Sequence, residues 1–555
     1  MKHIKTEHKL ISAAVICSVA VTALTACSIA GQTASSSASA SAAITSSGET
    51  AKTTTGLFSE KDLEIGYDES NAVTITLNGT SADSSSSSVK TDGSVITIKK
   101  EGTYVISGTL DDGYIVIDAG DSDDIRLILK DCDITSSDYA PIYCLNADNV
   151  YITLEDGTVN KLANTGTFDS KDDNSVDGAV FSKTDITING SGSLEISSSA
   201  HGIVGKDDVN ITGGDITVES EKDGIQSEET VAIQNASVEI TCGKDGIQAK
   251  DEDDLSKGCI YIESGEVSIS SDDDGITAAN IIQIDDGTVS ISRCYEGIEA
   301  QNITVNGGDI SITSSDDAVN AVAASSSSGD MMHTDGVSSV TVNGGNIYIR
   351  TGGDGIDSNG SFEMNGGMLT IMGPENGANG SLDYAGEGTI TGGTVIVAGA
   401  SGMAMNFSSA SQGSILLNVG NCSKDTVITV KDESGNVILS AVADCTYQTV
   451  LISSPDLVKG NSYTVTAGDY SETVELTDNI YGSGTGFGQG GFGGGMPGGG
   501  FNGDFDGNFD GNFGEKPDGD FSGMPDGGQN GFQGGRPDGF PGGRSDNGTA
   551  SETEV

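Results

Sequence analysis

The chain has no tryptophan, only eight prolines and only four histidines in 555 residues, and aromatic residues make up 5% of it. A sequence so poor in large rings has to build its interior from aliphatic side chains. Basic residues are also scarce, 26 Lys and Arg against 82 Asp and Glu, for a formal net charge of −56. Such a surface repels nucleic acid and anionic membranes, and its natural small partners are cations. Beyond the N-terminal residues there is no apolar run long enough to cross a bilayer. Besides Cys17 and Cys27 there are seven cysteines, at 132, 144, 242, 259, 294, 422 and 445, and none forms a C-x-x-C pair. An odd number spread this widely argues against a disulfide scaffold and against structural zinc. Cys132 with Cys144 and Cys422 with Cys445 are possible pairs, but single buried thiols are the better expectation. No G-x-S-x-G occurs, and only His201 and His333 lie beyond the leader, which disfavours a Ser-His-Asp site.

The N-terminus reads as a targeting segment. Lys2, Lys5 and Lys9 form a basic start, Leu10 to Ala23 is a short apolar stretch, and Leu24-Thr25-Ala26-Cys27 follows. The last four residues resemble a bacterial lipobox. The expectation is a signal peptide at 1–26, lipidation of Cys27, and a Ser/Ala-rich linker over 27–56. The chain would then be a lipoprotein held at the cell surface, touching the membrane only through its lipid. Removing residues 1–26, with three Lys and one Glu, takes the net charge from −56 to −58. Residues 481–555 are rich in Gly, Phe and Asp, with repeats such as Phe505-Asp506-Gly507-Asn508, and read as a disordered tail.

Between these ends lies a repeat. A tripeptide of Asp-Gly-Ile type occurs as His201-Gly202-Ile203, Asp223-Gly224-Ile225, Asp245-Gly246-Ile247 and Asp274-Gly275-Ile276. It continues as Glu296-Gly297-Ile298, Asp317-Ala318-Val319, Asp354-Gly355-Ile356 and Asn376-Gly377-Ala378. A second marker keeps the same phase, a Gly-Gly turn followed by alternating apolar residues, as in Gly213-Gly214-Asp215-Ile216-Thr217-Val218 and Gly307-Gly308-Asp309-Ile310-Ser311-Ile312. The common spacing is about 22 residues. Each unit holds short runs of β-branched residues in period-2 alternation and none with helical spacing. Strands this short gain partners only if the chain coils and each turn stacks on the last. Ile then stacks on Ile, and glycines supply positive φ at the corners.

The fold class expected is all-β, a right-handed parallel β-helix of about 22-residue coils over 57–412. A small antiparallel β module follows at 413–480, with disordered tails at both ends. Two long steps mark insertions at one corner of the coil, Lys250–Gly258 and about Val322–Ser339, and Lys161–Asp177 reads as a third. Insertions in solenoids gather on one face, often the binding face.

The body resembles bacterial carbohydrate-binding β-helix proteins typified by a clostridial surface protein that binds cellulose and polygalacturonate. The shared features are Gly102-Thr103-Tyr104-Val105-Ile106-Ser107-Gly108, Leu127-Ile128-Leu129 and Thr187-Ile188-Asn189-Gly190-Ser191-Gly192. Further along stand the Lys-Asp-Gly-Ile repeats, Asn379-Gly380-Ser381-Leu382-Asp383-Tyr384 and Ser453-Ser454-Pro455. The resemblance spans about residues 70–475. It implies a fold similar to pectate lyases, bound calcium, and binding of pectin or cellulose.

The repeat itself builds an acidic column. Asp223, Asp245, Asp274, Glu296, Asp317 and Asp354 take one equivalent position, flanked by Asp272, Asp273 and Asp316. Coils stack about 4.8 Å apart. Neighbouring carboxylates at that spacing repel by about 0.9 kcal/mol in bulk water and about 3–4 kcal/mol at an effective dielectric of about 20. A cation among them relieves this, and calcium accepts six to eight oxygens in flexible geometry. The alternative is a simple turn preference for Asp before Gly, with solvated carboxylates. Calcium on such a column can bridge to uronate carboxylates, which favours pectin-like ligands over cellulose. Lys222, Lys244 and Tyr295 are the candidate sugar contacts, with Tyr261 and Tyr384 as further candidates for stacking.

Three functions remain open on sequence. The first is a calcium-dependent, non-enzymatic binder of acidic polysaccharide, expected to be a monomer. The second is a calcium-dependent polysaccharide lyase, with Lys206, Lys222, Lys244 or Arg293 near the column as base. The third is a structural or adhesive surface protein.

Overall fold

A computed structural model describes residues 56–171, 174–251, 254, 257–323 and 334–482. The leader, Cys27, nearly all of the linker and the tail, and His333 lie outside the described residues. Every regular element among the described residues is a β-strand.

The coil is visible in three strands, Val209–Ile211, Asp215–Ser220 and Ile225–Ser227. The next coil repeats them as Thr230–Ile233, Ser237–Cys242 and Ile247–Ala249. Each pairs in parallel with its counterpart one coil on: Val209 with Val231, Ile216 with Val238, Ile225 with Ile247. The result is a parallel β-helix with three sheets, called here first, second and third in the order the chain visits them. Near the start, the long strand Asp124–Ser136 pairs with Asn149–Leu154 on the first sheet and with Val159–Asn164 on the second, so those two sheets are continuous there.

The alternation in sequence is the cause of this packing. In Ser237–Cys242, Val238, Ile240 and Cys242 are buried while Ser237, Glu239 and Thr241 are exposed. From Ile225–Ser227 onward the third-sheet strands are three residues long and alternate buried, half-buried, buried. Their first residues, Ile225, Ile247, Ile276, Ile298, Val319, Ile356 and Leu382, continue a stack from Ile203 of the longer strand His201–Gly205, and all are buried. Burying each such side chain contributes about 1.5–3 kcal/mol. Cys132, Cys144, Cys242, Cys294 and Cys445 are buried free thiols, and Cys259 and Cys422 are partly buried and also free.

The two glycine markers do different work. At the Gly-Gly corner the second glycine has positive φ, as at Gly214 (+95°) and Gly308 (+84°), which matches the expectation. The glycine of Asp-Gly-Ile does not need it. There a Cβ on Gly246 would lie 2.5 Å from the carbonyl oxygen of Gly275, one coil above, and 2.5 Å from Cγ2 of Ile269. That glycine is required by close approach between coils.

Two details of the expected layout are corrected. The last repeat marker is Gly380-Ser381-Leu382 and not Asn376-Gly377-Ala378, because Ile356 pairs with Leu382 and the Gly355 amide donates to the Gly380 carbonyl. A longer corner had displaced the motif. The insertions around Lys250–Gly258 and Val322–Ser339 do share one corner, between the third and first sheets. The third, expected at Lys161–Asp177, does not: its described residues 165–171 and 174–177 lie at the other corner, between Val159–Asn164 of the second sheet and Gly178–Ser182 of the third.

After the last coil, Tyr447–Ser454 runs antiparallel to Thr394–Gly399 and to Gly413–Cys422. A separate four-stranded antiparallel sheet has the order Val437–Val442, Val427–Lys431, Ser462–Ala467, Tyr470–Glu475.

Candidate functional site

The corner between the second and third sheets holds the acidic column, and the structure brings its members together as a ladder. Each acid precedes the small residue, glycine in every rung but Asp317-Ala318, at which coils approach closely, so its side chain lies beside the backbone of the next coil. An Asp223 Oδ1 accepts from the Asp245 amide at 3.2 Å, Asp245 Oδ1 from the Asp274 amide at 3.1 Å, and Asp274 Oδ1 from the Glu296 amide at 3.1 Å. Farther on, Asp317 Oδ1 accepts from the Asp354 amide at 2.6 Å, and Asp354 Oδ1 from the Gly380 amide at 2.7 Å. One carboxylate oxygen of each of these five aspartates is thus spent on the backbone, and the other is left for a neighbour or a ligand; Glu296 instead accepts from the Asn320 side chain. Five coil steps of about 4.8 Å set Asp223 and Asp354 about 24 Å apart.

These acids are not freely solvated. Asp223, Asp245 and Asp354 are buried and Asp274, Glu296 and Asp317 half-buried. Burial first, and then neighbouring carboxylates, push Asp245 up to about 6 and Asp274 up to about 7. Burial first and then Asp317 push Asp354 up to about 8. Burial is again the first cause at Asp317, raised to about 6. A row of carboxyls that resist ionisation is a row that a bound cation would relieve.

The flanking acids divide. Asp273 joins the ladder: Asp245, Asp273 and Asp274 each offer an oxygen, and the three atoms lie within 4.8 Å of one another. Asp272 instead ion-pairs with Arg293, and both are largely exposed. Asp316 accepts from the hydroxyl of Tyr295, which is 48% exposed. Lys244 Nζ lies 3.2 Å from Asp273 Oδ2, at the edge of the three-carboxylate group. Lys222 turns away from the rungs and pairs with Asp177 at 3.2 Å. Tyr261 and Tyr384 are no sugar platforms: both are buried, and the Tyr384 hydroxyl donates to the Asn406 carbonyl at 2.6 Å.

At the head of the ladder the repeat substitutes His201 for Asp. Its Nδ1 is 3.0 Å from Asp223 Oδ2 and its Nε2 is 3.4 Å from Asp177 Oδ2. Burial opposes protonation, but hydrogen bonds to both carboxylates raise the imidazole above its ordinary range. Asp177 is lowered: burial pushes it up, and His201 and Lys222 outweigh that. The ring thus stands between the Asp177 and Asp223 carboxylates where the ladder begins, and its Nδ1 is also 3.3 Å from the Asp223 amide nitrogen.

Several acids escaped the sequence reading. The outward residue of each third-sheet strand forms a second column, Gln226, Gln248, Thr277, Glu299, Asn320, Asp357 and Asp383. It leans on the ladder: Gln248 Nε2 donates to Asp245 Oδ2 at 2.5 Å, and Asn320 Nδ2 to Glu296 at 2.9 Å and to Glu299 at 3.2 Å. Burial first, then Asp317 and Asp383, push Asp357 up to about 7. Glu296 and Glu299 are both raised, chiefly by burial. The signal was available, because these residues stand three positions after each rung in the same 22-residue phase. A second group, Asp207, Asp208 and Glu229, sits across the third sheet at the insertion corner, with one oxygen of each within 4.8 Å of the others. Lys257 of the insertion ion-pairs with Glu229 there.

The fit to calcium rests on this donor set. It is all oxygen, charged and close-set, which is the chemistry a hard cation of flexible coordination takes.

Parts of the chain are similar to known proteins. Residues 92–337 match the family described as carbohydrate-binding domain-containing protein, and they include the ladder from Asp223 to Asp317. A protein of Acetivibrio thermocellus described in the same words is 37% identical over 124 residues, which are 22% of this chain and 43% of the relative. That match thus spans less than half of the relative's length. A solved structure, the gadolinium derivative of a polysaccharide lyase-like protein from C. thermocellum, has a TM-score of 0.29 and 22% identity, covering 58% of this chain and 93% of that chain. The carbohydrate-binding family expected from the sequence is the one whose pattern residues 92–337 carry.

Proposed function

We propose that this chain is a non-catalytic, calcium-dependent binder of pectin-like acidic polysaccharide, displayed on a bacterial surface as a lipoprotein. One observation carries the reading: Asp245, Asp273 and Asp274 converge within 4.8 Å in the middle of a stacked carboxylate ladder. In a chain of net charge −56 such a group favours a cation, and an anionic glycan can approach only through one. Asp245, Asp273 and Asp274 would hold the calcium, with Asp207, Asp208 and Glu229 as a second candidate set. When bound, calcium supplies positive charge to which a uronate carboxylate can bind. The chain's own role is to keep the oxygens in register by spending one oxygen of each ladder aspartate on a backbone amide. Tyr295, exposed beside Asp316, offers the ladder an aromatic neighbour for a sugar ring.

A lyase would need a basic group free to take a proton. Lys244 is held protonated, first by its hydrogen bond to Asp273 and then by that charge. Lys222 and Arg293 are engaged with Asp177 and Asp272, and Lys206 with Glu228. These pairs favour binding over cleavage.

The test is retention of the protein on immobilised polygalacturonate, with calcium and with chelator, while the ultraviolet absorbance of the eluate is followed. Retention lost in chelator, without new absorbance, is the expected result. Absorbance that grows with time identifies a lyase. Absence of retention in both conditions overturns the proposal and leaves a structural surface protein.

A further inference from the structure

A cleft of about 770 Å3 opens beside the head of the ladder and is not part of it. Its wall is formed by residues 165–171 and 174–177 of the long corner, where the next coil has only the short corner at residues 199–200. The wall is pinned along its length. The amides of Thr165, Thr167 and Asp169 donate to the carbonyls of Ser136, Ser137 and Asp138, at 3.0, 3.2 and 2.8 Å. Lys171 caps two rings of the outer face of the third sheet, 4.9 Å from the centroid of Tyr114 and 5.2 Å from that of Tyr139. Asn174 Nδ2 donates to the Tyr143 hydroxyl at 2.9 Å, and Val176 is buried against this cluster. Ser199 Oγ, on the opposite side, donates to Asn164 Oδ1 at 2.6 Å and so ties floor to wall. The cleft is therefore preformed, and its volume lies in the range of small-ligand sites.

The lining selects a class of ligand. The hydroxyl-bearing residues Thr165, Thr167, Ser170 and Ser175 line it, together with the half-buried Phe168, which also packs against the Tyr139 and Tyr143 cluster. Its charged groups are the carboxylates of Asp169, Asp177 and Glu221 and the ammonium of Lys222, which Asp177 already holds. The net charge of that set is negative, so an anion is disfavoured. A cation finds a single ring and no aromatic cage. Carboxylates that accept from several hydroxyls, beside one apolar ring face, suit an uncharged polyol ring.

We propose that this cleft is a second, metal-independent subsite that takes an uncharged hydroxyl-rich pyranose, as a mono- or disaccharide unit. The Phe168 ring meets the C–H face of the sugar, and Asp169 and Glu221 accept from its hydroxyls. The inference does not depend on calcium at the ladder, and its test is run without calcium.

The experiment is saturation-transfer NMR of the protein in chelator with a panel of neutral disaccharides built from glucose, galactose and mannose. Phe168→Ala and the exposed Asp169→Asn are compared with the unaltered protein. The expected result is transfer to at least one disaccharide, weakened at least fivefold in each variant. Calcium-dependent retention on polygalacturonate should be unchanged in both, which also shows that the variants fold. No transfer to any disaccharide overturns the inference, and so does transfer that both variants leave intact. Failure of retention on polygalacturonate by the unaltered protein bears on the ladder alone.

Discussion

Asp245 accepts a hydrogen bond of 3.1 Å from the backbone amide of Asp274, the equivalent residue one coil on, while its other oxygen accepts from Gln248 at 2.5 Å. Both oxygens of a buried carboxylate are thereby aimed by the fold, and Asp273 and Asp274 are set beside them. Removing the Asp274 charge while keeping its shape separates repulsion from ligation. Asp274→Asn should stabilise the metal-free protein by about 1 kcal/mol by relieving repulsion along the ladder. It should lower calcium affinity about tenfold or more. Calorimetric titration of calcium and a thermal melt in chelator check the two signs.

The pH dependence follows from the raised carboxyls. Asp245 and Asp317 titrate near 6, Asp274 and Asp357 near 7 and Asp354 near 8, against 3.8 for an ordinary Asp. A folded state that holds protons more tightly than the unfolded chain loses stability as pH rises. The contribution is complete below the ordinary value of 3.8 and is lost as pH climbs through the range 6 to 8. His201 adds to this trend and Asp177 opposes it. The chelated protein should therefore melt at a lower temperature at pH 8 than at pH 5, and calcium should raise the melting temperature more at pH 8. Equal calcium shifts at both pH values would count against cation binding by these groups.

Gly246→Ala tests the close approach of coils. The added methyl meets backbone and Ile269 at 2.5 Å, so about 1–3 kcal/mol of stability should be lost. Ala318, which stands naturally at this position in a later coil, shows that the cost depends on local spacing. Denaturant melts of Gly246→Ala and Ala318→Gly should therefore differ in size, with the larger change at Gly246.

Arg350 links the last coils to the antiparallel strands. Its guanidinium donates to the Thr351 and Met372 carbonyls at 3.1 and 3.2 Å, pairs with Glu375, and lies 3.5 Å from Asp444. Arg350→Ala should cost about 1.5–3 kcal/mol, the range for hydrogen bonds to a charged group. Hydrogen exchange should show faster opening around Tyr348, whose hydroxyl donates to Asp444 at 2.6 Å.

Much of the fold was legible because a solenoid is periodic. Ile225 and Ile247, 22 residues apart in sequence, pair directly, and the Gly-Gly corner has the positive φ that its glycine announces. The column of acids was legible for the same reason. Its chemistry was less so, because periodicity tells which residues stack but not what each side chain meets. Lys222 looks like a partner of Asp223 in sequence, yet it reaches Asp177 from a corner 45 residues earlier. The cleft wall at 165–177 and the Asn376 displacement share one cause: a longer corner carries no phase, and only pairing on either side of it fixes the register.

The coils end against a strand of opposite direction, Tyr447–Ser454, laid on Thr394–Gly399. A parallel turn cannot be added to an antiparallel neighbour in the same register. The number of rungs is therefore fixed, and with it the reach of the acidic face. On the function proposed here the ladder would act as a ruler: a glycan long enough to follow every rung would gain from each one, and further length would add nothing.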